Sequence, residues 1–366
     1  MADTGELNQL PLHSMHEAAG ARFGGFAGWS MPITYPAGVM KEHLHTREQA
    51  GLFDISHMKL IRIEGPDAAA LLARVCPFDP TALETSQSKL SFFLDDDAGI
   101  LDDLIVTRLG DNRFMVVANA GNAQTDIAHL NAAASGFDCT VEPLDRVFLA
   151  LQGPAAEAAI VKAGLDLSAL TFMHGVEPRE GWFASRSGYT GEDGFEIAIP
   201  PAEAEAFAAA LLADERVMWI GLAARDSLRL EAGLCLHGQD IDPSTTPVEA
   251  ALMWAVPKPL REGGSYVGAD ALVRARQAGA KHKRVGLQPD GRQPVRPGTP
   301  LVDAQGAPAG RVTSGGFGPS AGAPVAMGYV RADLTGGGEL FAEVRGNRLP
   351  VRIHPLPFTP HRYRKG

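Results

Sequence analysis

A chain of 366 residues exceeds what one hydrophobic core ordinarily supports, so two or three domains are expected. Hydrophobic residues at 45% and charged residues at 21% are ordinary for a globular protein, and the formal charge of −10 speaks against a general nucleic-acid or anionic-membrane binder, which needs a basic surface. Cys76, Cys139 and Cys235 stand far apart with no CxxC pair, which fits buried thiols in a reducing compartment rather than a disulfide scaffold or a zinc site.

Met1–Leu7 is acidic and shows neither an apolar signal core nor an Arg-rich amphipathic pattern. No apolar run approaches the ~20 residues of a membrane span, so a cytoplasmic protein is expected. The run from Phe23 to Pro36 has too many Gly and Pro residues for a helix and too many aromatics for a solvated loop. It is expected to pack as irregular chain over a core or a pocket. His13, His16, His43 and His45 lack the spacing of a metal site, and His57 reads as a hydrogen-bonded core residue before a strand.

From Met58 the pattern becomes regular. A strand Lys59–Ile63, a first-turn proline at Pro66, a helix Asp67–Val75, a strand near Leu101–Leu109, a turn at Gly110-Asp-Asn112, a strand Arg113–Ala118, a helix Asn122–Ala134 and a strand Phe137–Val141 make a β-α-β-β-α-β order, the split βαβ arrangement. Asp102 and Asp103 lie at the mouth of the hairpin. Neighbours on a strand point to opposite faces, so one should look inward and the other to solvent.

The order then restarts. Phe148-Leu-Ala-Leu-Gln-Gly-Pro154 repeats the strand-Gly-Pro entry of Ile61-Arg-Ile-Glu-Gly-Pro66, followed by an Ala-rich helix, strands Trp182–Ser187 and Phe195–Ile199 and a helix Ala202–Leu212. An internal duplication over about 58–143 and 146–215 is inferred. Chance coincidence of two Gly-Pro helix starts in an Ala-rich sequence is the competing explanation. Duplication would bring Asp103 of the first hairpin and Gly188-Tyr-Thr-Gly-Glu-Asp-Gly-Phe-Glu-Ile197 of the second to one central cavity. Glu196 is an acid inside a strand; it either meets a partner or ligand or lies on the solvent face, and alternation alone leaves both open. Arg225 and Arg229 share a helix face, which calls for nearby anions, internal or bound.

Beyond Pro257 the composition turns basic from Lys258 to Arg284, with a helix Ala269–Ala278, and then reads as short strands such as Phe341–Val344 and Leu349–Ile353. Thr313-Ser-Gly-Gly-Phe-Gly-Pro319 reads as a hairpin turn. The division expected is 1–257 for the main body, 258–284 for a connecting segment and 285–366 for a small β-barrel. His361–Lys365 reads either as a solvated tail or as a basic contact for an acidic ligand or carrier.

Taken together, Phe26-Ala-Gly-Trp-Ser-Met-Pro32, Phe53-Asp-Ile-Ser-His-Met58, Gly99-Ile-Leu-Asp-Asp-Leu-Ile-Val-Thr107, Ala118-Asn-Ala-Gly121, Leu151-Gln-Gly-Pro154, Gly188-Tyr-Thr-Gly-Glu-Asp-Gly194, the run Gly221–Gly233 and Val325-Ala-Met-Gly-Tyr-Val330 resemble, in order, the T-protein of the glycine cleavage system, a tetrahydrofolate-dependent aminomethyltransferase. The resemblance implies an α+β fold of two duplicated split-βαβ (ferredoxin-like) units around a central folate cavity, plus the small C-terminal β-barrel. It implies transfer of a methylene from the aminomethyl group on the lipoyl arm of the H-protein to tetrahydrofolate, with release of ammonia, in glycine catabolism and one-carbon metabolism. Tetrahydrofolate is then the acceptor substrate, lipoate belongs to the partner H-protein, and no metal, nucleic acid or membrane takes part. By the same resemblance Asp103 is the catalytic carboxylate and Glu196, Arg225, Tyr189, Tyr363, Met58 and Asn119 are folate-binding. Asp102 keeps a solvated role.

The chain departs from the family at Ala98, where glycine is usual, at Leu90, where some members have tyrosine, and at His237, also often tyrosine. Two other classes share the folate-binding character. A demethylation module of the dimethylglycine or sarcosine oxidase type would bring a dinucleotide fingerprint, and a non-enzymatic protein of the iron–sulfur-assembly kind would bring a Lys-Gly-Cys-Tyr motif; neither pattern occurs.

Overall fold

Residues 7–366 are described by the computed structural model, so the acidic opening Met1–Glu6 lies outside the described residues. The first sheet is antiparallel and runs in the order Ser88–Leu94, Ile100–Gly110, Arg113–Ala118, Lys59–Glu64, Thr140–Leu144. Counting the four strands expected for the first unit, their sheet order is 2-3-1-4, the ferredoxin-like order. Ser88–Leu94 is an addition at the edge that periodicity did not announce. Its Phe92 and Phe93 are both fully buried because one faces the connecting segment and the other the helices Ala68–Val75 and Ala123–Ala133. A strand covered on both faces loses alternation.

The second sheet runs His174–Val176, Phe183–Arg186, Gly194–Ile199, Val147–Gln152, Ala50–Asp54, Val217–Trp219. Its first three repeat strands keep the 2-3-1 order, but Ala50–Asp54, from upstream of both units, is inserted before Val217–Trp219. The second unit therefore reaches past 215 and encloses a strand not its own. Both Gly-Pro entries serve the same geometry: Gly65 has φ +141° and Gly153 φ +127°, and a Cβ at either would run into backbone carbonyls, of Asp138 and of Gln49 respectively. The two sheets pack through Phe53, Ile55, Leu60, Met115, Val117, Phe148 and Phe183.

The N-terminal run is more regular than expected. Arg22–Phe26 and Trp29–Thr34 pair as a hairpin joined by Asn8–Gln9, and helices His13–Ala18 and Val39–Glu48 flank it. Gly and Pro hide this hairpin from propensity: Gly24 and Gly25 are strand residues, and a Cβ at Gly24 would press on Ile33.

The C-terminal barrel is closed, in the order His282–Pro289, Ala323–Arg331, Pro308–Gly318, Pro300–Asp303, Leu340–Val344, Asn347–His354. It begins inside the segment expected to be a connector. Thr313–Pro319 is mostly barrel strand, not a turn; Gly315 lies where a Cβ would meet the Val295 carbonyl, so glycine here marks close packing. The helix Ala269–Ala278 joins a core with Phe92, Leu94 and Ile100, so the connecting segment packs on the first unit. Among the described residues no helix is long and apolar enough to cross a membrane, and no group of three or more His, Cys, Asp or Glu could hold a metal ion.

Candidate active site

One cavity of about 1470 Å³ opens between the two sheets, the helix Leu222–Glu231 and the barrel. All seven residues singled out from the sequence, Met58, Asp103, Asn119, Tyr189, Glu196, Arg225 and Tyr363, line it.

Along Ile100–Gly110 the alternation is strict enough to separate the two aspartates. Leu104 and Val106 go under the helices, and Asp102 goes with them and is fully buried. Asp103 and Ile105 face the cavity. The solvated role expected for Asp102 is therefore wrong: the helix layer covers that face and leaves no solvent there. Asp102 instead accepts the Asn119 N–H on Oδ2 at 3.1 Å, and the Nδ2 groups of Asn119 and Asn122 on Oδ1 at 2.9 and 2.7 Å. Asn119 Nδ2 also donates to Asp103 O at 2.9 Å and Oδ1 at 3.1 Å. Burial, followed by the Asp102 charge, pushes the Asp103 carboxyl up to about 7, against the Asn119 hydrogen bond.

Glu196 faces inward, 9% exposed, and accepts Ser187 Oγ on Oε2 at 2.7 Å. Burial raises its pKa while the Ser187 bond and Arg225 oppose the rise. Among the described residues Arg225 has no hydrogen-bond partner on Nη1, and it lies 4.8 Å from the Tyr189 ring centroid. The Tyr189 hydroxyl donates to the Cys235 carbonyl, so this residue offers the cavity its ring. Arg229, by contrast, is saturated internally by Asp226 at 2.8 Å and Asp240 at 2.6 Å. The two arginines of one helix face thus divide: one is spoken for and one is free for a ligand.

The tail is tied down but largely exposed, with only Tyr363 among His361–Lys365 part-buried. Tyr363 stacks on Phe172 at 3.8 Å, His361 Nε2 bonds the Ala232 carbonyl at 2.8 Å, and Arg364 pairs with Glu157 at 2.5 Å. Leu90 supplies apolar wall, and His237 bonds Ile100 O through Nε2 at 3.1 Å and Asn122 Nδ2 through Nδ1 at 2.9 Å. His57 is not the hydrogen-bonded core residue expected. It is buried on the cavity wall with Nδ1 unpartnered, and burial, then the Arg225 charge, lowers it to about 3. The burial of Asp102 and Asp126 is not expected from the sequence either, since an acid on the apolar side of a period reads as exposed until the layer covering it is known.

A large, mainly apolar cavity with a carboxyl group poised near neutrality, a second buried carboxylate and an unpaired arginine defines an enzyme site for a small molecule with a polar edge. Residues 12–259 match the GCVT N-terminal domain and residues 282–359 the Glycine cleavage T-protein C-terminal barrel domain. The chain belongs to the glycine cleavage T-protein family. It is 42% identical to the mitochondrial aminomethyltransferase of Gallus gallus, covering 98% of this chain and 94% of that one, and 41% identical to that of Homo sapiens, covering 98% and 91%. An aminomethyltransferase of Rubrobacter xylanophilus is 41% identical over 97% of this chain and 95% of its own. The crystal structure of glycine cleavage system aminomethyltransferase T from Bartonella henselae superposes with a TM-score of 0.97 at 58% identity, covering 98% of this chain and all of that one.

Proposed function

We propose that this chain transfers the methylene of an aminomethyl group, carried on the lipoyl arm of an H-protein, to tetrahydrofolate, releasing ammonia and yielding 5,10-methylenetetrahydrofolate in glycine catabolism. The observation that carries the reading is the convergence of Asp103, Glu196 and Arg225 on one cavity. Glu196 has lone pairs left after Ser187 is bonded and accepts the amino-amide edge of a pterin. Tyr189, with Arg225 4.8 Å from its ring centroid, supplies a flat packing surface, and Met58 and Tyr363 add apolar contact. Asp103 orients the folate nitrogen, takes its proton as the new C–N bond forms, and stabilises the cationic carbon. A carboxyl near 7 accepts and returns a proton at working pH. In balance, the two hydrogens lost from the folate nitrogens go to the departing thiolate and the departing amine. Asn119 holds Asp103 in place.

The free thiols Cys76, Cys139 and Cys235 fit a reducing compartment, and we place the protein in the cytoplasm. Aminomethyl-loaded H-protein mixed with this chain and tetrahydrofolate should release ammonia and methylene-folate together. Release no faster than without the chain would sink the reading.

A further inference from the structure

The helix Ala123–Ala133 carries a carboxylic acid that the transfer chemistry does not touch. Asp126 is 1% exposed, its Oδ2 meets no N–H or O–H donor among the described residues, and it stands one helical turn beyond Asn122, whose Nδ2 bonds Asp102 at 2.7 Å, which sets its carboxyl against that of Asp102. Among the described residues no cation pairs with either carboxylate. The titratable groups around Asp126 are Asp102 and Asp103 on the strand beneath, Cys76 at the end of the helix Ala68–Val75, and His129 one turn along its own helix, which burial keeps neutral. His237 reaches Asp102 only through Asn122, with its Nδ1 accepting. Two ionised carboxylates cannot stay in contact in such a place, so one proton is held between them. Asp102 already accepts three N–H donors across both of its oxygens, so it faces its neighbours as an acceptor rather than a donor. The proton therefore belongs to Asp126.

We propose that Asp126 is a positioning residue: as a neutral carboxylic acid it donates to Asp102, fixes Asp102 as the ionised acceptor for the Asn119 and Asn122 amides, and through Asn119 orients the cavity-facing Asp103. Burial first, then the charge of Asp102, raises Asp126 to about 9, in keeping with that geometry. The orienting role rests on the reading of Asp103 as the reacting carboxylate; the protonation of Asp126 does not.

Asp126→Leu removes the donor at similar bulk, and Asp126→Asn replaces it with an amide donor. Asp126→Leu should lower kcat by about 10- to 100-fold with the folate KM within about threefold, the penalty of a misplaced reacting group. Asp126→Asn should restore kcat to within about threefold of wild type and leave the acid limb of its pH profile unmoved, because it exchanges one neutral group for another. A downward move of that limb by more than about half a pH unit would mean that a negative charge had been removed, and overturns the proposal. So does wild-type kcat in Asp126→Leu. Isotope-edited infrared spectroscopy of aspartate-labelled protein at about pH 8, above the Asp103 pKa, should show a protonated-carboxyl band that persists in Asp103→Asn and disappears in Asp126→Asn. Its absence from the wild type overturns the proposal even where Asp126→Leu fails to fold. Full turnover by Asp103→Asn would instead refute the reading of Asp103, with the band still deciding the state of Asp126.

Discussion

Asp102 and Asp103 point to opposite faces of one strand, yet a single amide, Asn119 Nδ2, donates to both, at 2.9 and 3.1 Å. The buried charge of Asp102 is therefore felt by Asp103, second only to burial in raising its pKa to about 7. The carboxylate form of Asp103 grows as pH rises through that value, so kcat should climb across neutrality. Asp102→Asn removes the like charge and should move the acid limb down by about half to one pH unit. The pH profile of ammonia release measures it, and an unmoved limb would show that Asp102 acts on Asp103 by geometry alone.

Asp103 and Glu196 line the same cavity with different surroundings, and the difference predicts a division of labour. Asp103→Asn keeps shape and loses the proton acceptor, so kcat should fall by about 10²- to 10⁴-fold with a modest change in folate affinity. Glu196→Ala leaves the pterin edge without its acceptor and should weaken folate binding by roughly 10- to 100-fold, equivalent to ~1.5–3 kcal/mol. Steady-state kinetics with titration calorimetry separates the two. Equal losses of affinity in both variants would contradict the division.

What could be read in advance follows the physics of each segment. The helix Ala269–Ala278 came out at its expected bounds because it follows a helical period, and the strand Arg113–Ala118 did so because the turn Gly110-Asp-Asn112 marks its start, although it is buried on both faces. Ser88–Leu94 and Ala50–Asp54 did not, since strands buried on both faces read as apolar runs without a period. Cavity residues were legible as motifs; Asp103, Tyr189 and Glu196 converge where the two hairpins meet, while Arg225 and Tyr363 are brought in by the helix Leu222–Glu231 and the C-terminal tail. Asp102 was not legible, because which face of a strand is covered depends on a helix further along the chain. Ala98 shows the same limit from the other side: it stands at φ +65°, a conformation that glycine adopts freely, beside Gly99, where a Cβ would overlap the Pro243 carbonyl. The departure from the family's glycine thus falls on a position with a conformational reason for it.

A reacting group raised in pKa by burial opposes folding when it ionises. The ordinary carboxyl value of 3.8 against about 7 in the folded chain means that Asp103 contributes most to stability below about pH 4, and that this contribution is lost as pH rises through about 7. Asp103→Asn removes the penalty. Its Tm should exceed that of wild type at about pH 8 by ~2 °C or more and converge with it near pH 4, a trade of stability for activity. Thermal melts at the two pH values test this, and a variant less stable than wild type at pH 8 would show that the Asn119 bond to the carboxylate outweighs its desolvation.

Glu231, at the end of the helix that carries Arg225, joins that helix to the barrel. Its Oε1 takes the backbone N–H groups of Ser320 and Ala321 at 2.8 and 3.0 Å, and its Oε2 takes His43 and Arg47, both at 3.1 Å. Burial works to raise this carboxyl, but the bond and charge of His43, the Ala321 N–H and the Arg47 charge overcome it and hold it at about 2. Being depressed, it stabilises the fold above about pH 4.5, and that contribution is lost as pH falls through about 2. Glu231→Ala leaves Arg47 buried with only Glu192 as its carboxylate partner and two turn N–H groups unbonded, so a loss of ~3–5 kcal/mol is expected at neutral pH. Because the turn at Ser320 and the Arg225 helix lose their common anchor, folate affinity should fall in the same variant, and amide exchange should quicken in Pro308–Gly318 before it does in the first sheet. A uniform rise in exchange across both domains would mean that Glu231 supports the whole fold rather than the junction between helix and barrel.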